Sequence, residues 1–226
     1  MNKRLVFLFI WVAAAVMVVQ TNAETAEASV IGITPLEGSE AVDYVIGTPE
    51  SLPFTLTRNF SNDDTLYVWD EVQNFTVPGN LFVDRVADPT ASFIGGSEDN
   101  YYIEAGTIVS SHYVQWDPLA QKSVQAVLEF DSEIFAFITA DNKLADSDLW
   151  LGLPGIDYGD FGNRGLEYAD TTEFNASNVE INWRAQKPGD WSRLITAESP
   201  VPIPGAVWLL GSGLIGLVGI KRKFKK

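Results

Sequence analysis

Residues 107–139 read TIVSSHYVQWDPLAQKSVQAVLEFDSEIFAFIT. β-Branched and aromatic residues dominate three runs in it: Thr107 to Gln115, Ser123 to Phe130 and Ile134 to Thr139. Such side chains suit a pleated, half-buried backbone, and Asp117-Pro118 supplies a turn between the first two. The spacing predicts three strands in succession. The same alternation of short β-rich runs and turn residues continues outward. Leu52 to Thr57, Thr65 to Trp69, Asn74 to Val77, Asn80 to Val86 and Tyr101 to Glu104 precede it. Val179 to Trp183 and Trp191 to Thr196 follow. Pro78-Gly79-Asn80, Gly95-Gly96-Ser97, Leu153-Pro154-Gly155 and Lys187-Pro188-Gly189-Asp190 mark turns. Phe54 with Leu56, and Phe82 with Asp84 and Val86, show the period of a strand with one buried face. About ten strands on these spacings predict an all-β fold, an antiparallel β-sandwich of jelly-roll type. Asp141 to Asp148 is expected to form one short helical turn.

The ends of the chain differ from this middle. Lys3 and Arg4 precede a continuous apolar run from Leu5 to Val19. Thr21-Asn22-Ala23 then offers small residues to signal peptidase, with Glu24 first in the mature chain. At the other end, residues 201–226 read VPIPGAVWLLGSGLIGLVGIKRKFKK. Pro202 and Pro204 stop any helix arriving from upstream. The seventeen residues from Pro204 to Ile220 would span roughly 25 Å as a helix, the short end of what crosses a bilayer. The basic tail 221–226 would stay cytoplasmic. The expected organisation is a signal peptide at 1–23, a flexible lead-in at 24–40 to which Val30 to Ile33 could add an edge strand, a β-sandwich ectodomain at 41–199, and a C-terminal segment at 200–226 with its transmembrane helix at 204–220.

The order of a proline pair, a short helix with Gly-Ser-Gly-Leu at 211–214 and a Lys-Arg-Lys cluster at 221–223 resembles the PEP-CTERM sorting signal of Gram-negative bacteria. Val201, Pro202, Ile203 and Pro204 occupy the motif in its Val-Pro-x-Pro form, with Ile203 where the commonest version has Glu. The resemblance implies processing by an exosortase, an integral-membrane transpeptidase, and a link to exopolysaccharide production. A second resemblance lies in the middle. Ser110 to Pro118, Leu128 to Asp131, Ile134 to Thr139, Leu144 to Asp148, Leu151-Gly152, Arg164 to Glu167 and Pro188 to Trp191 look like a block seen in many PEP-CTERM ectodomains. That ectodomain family has no assigned activity, so it implies class and location only. The expected route is export, a transient inner-membrane anchor, then the cell surface or extracellular matrix.

Between Glu24 and Glu198 the chain has all 30 Asp and Glu against eight Lys and Arg, a net charge of −22. Such a surface repels nucleic acid and attracts divalent cations. With no Cys, neither disulfides nor thiolate metal sites exist. His112 is the only histidine, and one His without Cys cannot complete the usual zinc set. Ser110 shares its strand face, but no Gly-x-Ser-x-Gly elbow is present. No catalytic residue is assigned and no enzymatic activity is expected. Trp69 beside Asp70, Trp116 beside Asp117, and Trp150 are candidates for stacking on sugar rings. Asp141, Asp146 and Asp148 are candidate calcium ligands, as the nearby Asp157 and Asp160 could be, since Ca²⁺ takes six to eight oxygens. No other cofactor is indicated.

The expected function is structural or adhesive, in contact with exopolysaccharide. Two alternatives stay open: a secreted polysaccharide hydrolase using an Asp/Glu pair, and a single-pass membrane protein that no sortase processes.

Overall fold

The alternation of side chains along two strands shows how the fold is built. From Asn178 to Ala185, Val179, Ile181, Trp183 and Ala185 are buried, while Glu180, Asn182 and Arg184 face water. From Ile108 to Trp116 no such alternation survives: everything after Ile108 is buried. The first strand has one covered face and the second has two. A computed structural model describes residues 27–198 except 61–63, 99 and 168–169.

The strands in chain order are β1 (Val30–Pro35), β2 (Asp43–Ile46), β3 (Phe54–Thr55), β4 (Thr65–Asp70), β5 (Phe75–Thr76), β6 (Leu81–Val83), β7 (Arg85–Val86) and β8 (Ile94–Gly95). They continue with β9 (Tyr101–Ile103), β10 (Ile108–Trp116), β11 (Lys122–Phe130), β12 (Ile134–Ile138), β13 (Ile156–Asp157), β14 (Thr171–Asn175), β15 (Asn178–Ala185) and β16 (Asp190–Ala197). One helix, α1 (Asp141–Leu151), falls between β12 and β13.

One sheet runs β1-β11-β15-β14, antiparallel throughout. The larger runs β2-β4-β10-β16-β12-β7, with β5 also on β10. The chain crosses from the larger sheet to the smaller between β10 and β11, and returns between β11 and β12. Val124, Leu128, Phe130, Ile181 and Trp183 of the smaller sheet meet Leu66, Val114, Trp116, Phe137 and Leu194 of the larger in one apolar cluster. A second cluster covers the outer side of the larger sheet. There Trp69, Tyr113, Trp191 and Ile195 pack against Leu144 and Leu151 of α1 and against Leu56, Leu81 and Tyr158. β10 and β16 therefore lie between two cores.

The all-β expectation holds, with three local corrections. Two pairings, β2 with β4 and β3 with β13, are parallel. The edge strand expected at Val30 to Ile33 is present as β1, which extends to Pro35 and pairs Val30 to Pro35 with Phe130 to Ala126. The expected single turn at Asp141 to Asp148 is an eleven-residue helix. Asn80 to Val86 is not one strand: β6 and β7 belong to different sheets, and the chain turns at Asp84. That turn reverses the expected facing. Leu81 and Val83 are buried, whereas Phe82 is 52% exposed. Asp84 is held at the corner because its Oδ2 accepts the N–H groups of Thr139 (2.7 Å) and Ala140 (2.9 Å). Its Oδ1 pairs with Lys143 at 2.7 Å, so this corner also fixes the start of α1.

Truncating Trp183 to Ala should cost about 3–5 kcal/mol. Glu180→Ala on the solvent face of the same strand should stay within about 0.5 kcal/mol. Chemical denaturation of the two variants checks the assignment of faces.

Candidate functional site

The inner face of β10 carries His112, opposite Asp70 of β4 and Leu194 of β16. His112 Nδ1 lies 2.7 Å from Asp70 Oδ1, and Nε2 lies 3.0 Å from Thr196 Oγ1. The carboxylate must accept from Nδ1, which in the neutral ring leaves Nε2 to accept the Thr196 hydroxyl proton. Phe130 packs on the imidazole, with ring centroids 4.8 Å apart. Carboxylate, imidazole and hydroxyl follow the order of a hydrolytic triad. Yet His112 and Thr196 are fully buried, so the hydroxyl faces core instead of substrate. Asp70 also accepts the Val30 N–H at 3.0 Å. The line thus joins β1, β4, β10 and β16. Sequence reasoning named Ser110 as the neighbour of His112, but the hydroxyl that reaches it comes from Thr196, 84 residues away.

The outer face carries a second polar cluster centred on Arg193 of β16. Its Nε and Nη2 donate to Glu71 Oε2 and Oε1 at 2.5 and 2.8 Å. Nη1 donates to Ser147 Oγ of α1 at 2.5 Å, and Nη2 to Asp148 Oδ1 at 3.0 Å. Arg164 grips the same Asp148 through two bonds of 2.7 and 2.8 Å, and its Nε donates to Tyr113 Oη at 3.0 Å. Tyr158 donates to Glu71 Oε1. Both guanidinium groups lie 5.2–5.7 Å from the rings of Tyr113 and Tyr158. Burial works against the charge on Arg193, but Glu71, Tyr158 and Asp148 outweigh it and raise its pKa. Burial pushes the Tyr113 phenol up to about 12, with Arg164 and Arg193 opposing.

This cluster accounts for the candidate calcium ligands. Asp148 is taken by two arginines. Asp141 accepts the N–H groups of Asn163, Arg164 and Gly165 at 2.7–2.8 Å. Asp146 stays exposed and lines an open cleft of about 500 Å³ with Asp148, Asp157, Tyr158 and Asp160. Asp141, Asp146 and Asp148 do not converge on a common point, because two of them serve as internal anchors for the 163–165 segment and the arginines.

The candidate sugar platforms need a similar correction. Trp69 lies in the outer core against Tyr113, with ring centroids 4.9 Å apart. Trp116 lies in the inner core, its Nε1 donating to the Lys122 carbonyl at 3.4 Å. Neither offers a ring face to solvent, since β4 and β10 are covered on both sides. Asp70 is held by His112, and Asp117 is buried. Trp150 is half-buried. The sorting motif at 201–204 and the signal peptidase site at Ala23 and Glu24 lie outside the described residues. Among the described residues no helix is long and apolar enough to cross a membrane.

A third cluster was not legible in the sequence. Ligand oxygens of Glu167, Asp170 and Asp190 lie within 4.8 Å of one another. Asp190 begins β16 directly opposite Trp116. Gly189 before it has φ +91°, and a Cβ there would stand 2.6 Å from the Trp116 carbonyl oxygen, so this turn requires glycine. Asp170 accepts the N–H groups of Glu167 (2.9 Å) and Arg184 (2.8 Å). Burial, then Glu167, Asp170 and Asp117, push Asp190 up to about 9. Burial pushes Asp117 up to about 8, against the pull of Lys187, and raises Asp170. The only sequence signal was the Pro188-Gly189-Asp190 turn, because Glu167 and Asp190 stand 23 positions apart with no motif joining them.

Comparison with known proteins finds no matching family model, curated protein or solved structure.

Glu71→Gln should destabilise the fold by about 3–5 kcal/mol, because it leaves Arg193 buried with its charge half-met; urea denaturation measures it. The raised carboxyl groups make a pH prediction. Between the ordinary value of 3.8 and about 8–9, Asp117 and Asp190 hold protons in the folded state that the unfolded chain has released. Stability therefore falls as pH rises through that window. In chelator-containing buffer, Tm should be lower at pH 8 than at pH 5 by on the order of 10 °C or more.

Proposed function

We propose that this chain is an exported, non-enzymatic cell-surface or matrix protein whose all-β domain is delivered through a PEP-CTERM-type signal and released from its membrane anchor by an exosortase. The single observation that carries the reading is the order of features in residues 201–226: proline pair, uncharged apolar run, basic tail. The apolar run and small-residue site before Glu24 support it from the other end.

The domain itself supports a structural role. Its two main sheets, packed through the cluster around Trp116 and Trp183, provide the frame of a jelly-roll-like sandwich. Its histidine and both members of the Arg193–Glu71 pair are enclosed and spent on each other's neighbours. A chain that bears 30 acidic residues on its exported part suits a hydrated polymer matrix, with which the protein would associate through its surface.

Mass spectrometry of the mature protein, isolated from the surface of cells that express the exosortase, tests the route. The expected C-terminus lies at or near residues 201–204, and Pro202→Ala with Pro204→Ala should leave the full tail attached. An intact Lys226 on all surface protein sinks the proposal.

A further inference from the structure

We propose that Glu167, Asp170 and Asp190 form a binding site for a hard divalent cation of the calcium class, at the end of β16 where it leaves the Lys187–Gly189 turn. The inference does not rest on the export reading, because it uses only the folded domain.

The decisive group is Asp190. Its residue is fully buried, and among the described residues neither carboxylate oxygen accepts from an amide, hydroxyl, ammonium or guanidinium group, the one side-chain partner being another carboxyl, that of Glu167. Carboxylates buried without donors are costly, and structures retain them where a proton or a metal ion meets the charge. The groups that Asp190 faces make the demand stronger. They are the carboxylates of Glu167 and Asp170, with the charge of Asp117 also acting on it. Among the described residues no cation acts on Asp190 itself: Arg85 donates to the Asp170 main-chain carbonyl at 3.5 Å and its charge acts on the Asp170 carboxylate, and Lys187 acts on Asp117. Three acids therefore converge where either a proton or a cation has to meet the charge.

The geometry admits a metal ion. Calcium holds oxygens at about 2.3–2.6 Å, so two ligands on opposite sides of it stand about 4.8 Å apart. All three carboxylates offer an oxygen within that limit of the others. The donor set is oxygen only, with neither imidazole nor thiolate in the cluster, which favours calcium or magnesium over transition metals. Calcium suits the site better, since it takes carboxylates in irregular arrangements while magnesium demands near-ideal octahedral geometry. Asp170 is already oriented by two backbone N–H groups, as metal-binding carboxylates commonly are. Glu167 is exposed and leaves water access to the remaining positions. The site lies apart from the Asp146 cleft, where Asp148 is already neutralised by two arginines.

Calcium titration of the full-length chain, purified in mild detergent and stripped with chelator, tests this directly. One ion should bind with a dissociation constant near that of extracellular modules, roughly 0.1–1 mM. Tm should rise in calcium and fall back when chelator is added. Asp190→Asn should abolish binding while keeping or raising Tm in chelator, which shows that the variant folds. Glu167→Gln, at an exposed position, should weaken binding at least tenfold without changing Tm in chelator. Asp146→Asn should bind as the unaltered chain does. The proposal is overturned if the unaltered chain shows no stoichiometric binding up to about 10 mM calcium, which would leave Asp190 and Glu167 sharing a proton. It is overturned equally if Asp190→Asn binds normally, or if Asp146→Asn is the substitution that removes the ion.

Discussion

Arg193 sits on a strand with a core on either side, and its guanidinium is wholly enclosed, so its charge has to be met inside the protein. Glu71 meets it with both oxygens, Asp148 and Ser147 meet it from α1, and Tyr158 closes on Glu71 from the loop after β13. Removing two ions from water costs several kcal/mol each, on the order that only good geometry and further hydrogen bonds offset. That requirement dictates what surrounds the pair. α1 has to lie over β16, and the 151–165 segment has to return across it, so that Arg164 can hold the other side of Asp148. Apolar packing alone could place a helix there in several registers. The ion cluster allows one.

The larger sheet is consequently the middle layer of the domain, and its two faces carry different chemistry. The inner face has the Asp70–His112–Thr196 line, which runs from a partly exposed carboxylate into the apolar core; the outer face has the arginine cluster among aromatic rings. In both, polar groups from separate strands satisfy one another. Such pairing also explains why β10 can bury Ser110, Ser111 and His112 in succession. Ser111 donates to the Leu151 carbonyl at 2.9 Å, and Ser110 accepts the Asn74 N–H at 3.1 Å.

Sequence reasoning reached the strand positions because β-branched runs and turn residues are local signals. β10, β11, β12, β15 and β16 all lie where those signals put them. It failed where a second layer decides the outcome. A stretch such as Ser-Ser-His-Tyr-Val-Gln-Trp looks half solvated, and Trp69 and Trp116 look available, until a helix and loops from elsewhere in the chain cover the open side. Short strands such as β2 and β14 were missed for the same reason, being held by neighbours more than by their own composition. α1 lacks a side-chain N-cap and is Asp-rich, so local propensity gave little sign of three turns. Its start depends on Asp84 and its middle on Arg193. The acidic cluster combines three segments that no spacing rule connects.

The two places where the chain enters and leaves the fold meet at one short turn. Asp131 accepts the Ser29 N–H at 2.8 Å and returns its own N–H to the Ser29 carbonyl, while Ala197 donates to the Glu133 carbonyl at 2.8 Å. Asp190 lies at the far end of β16, seven residues from Ala197 and so roughly 23 Å away along the strand. The first and last strands, β1 and β16, are therefore tied to the same 131–133 turn, so a pull on either strand is passed to its partner through one short segment. Among the described residues, the contacts of Ser29 and Ala197 thus gather at one end of β16, and the carboxylates of Glu167, Asp170 and Asp190 lie toward its other end.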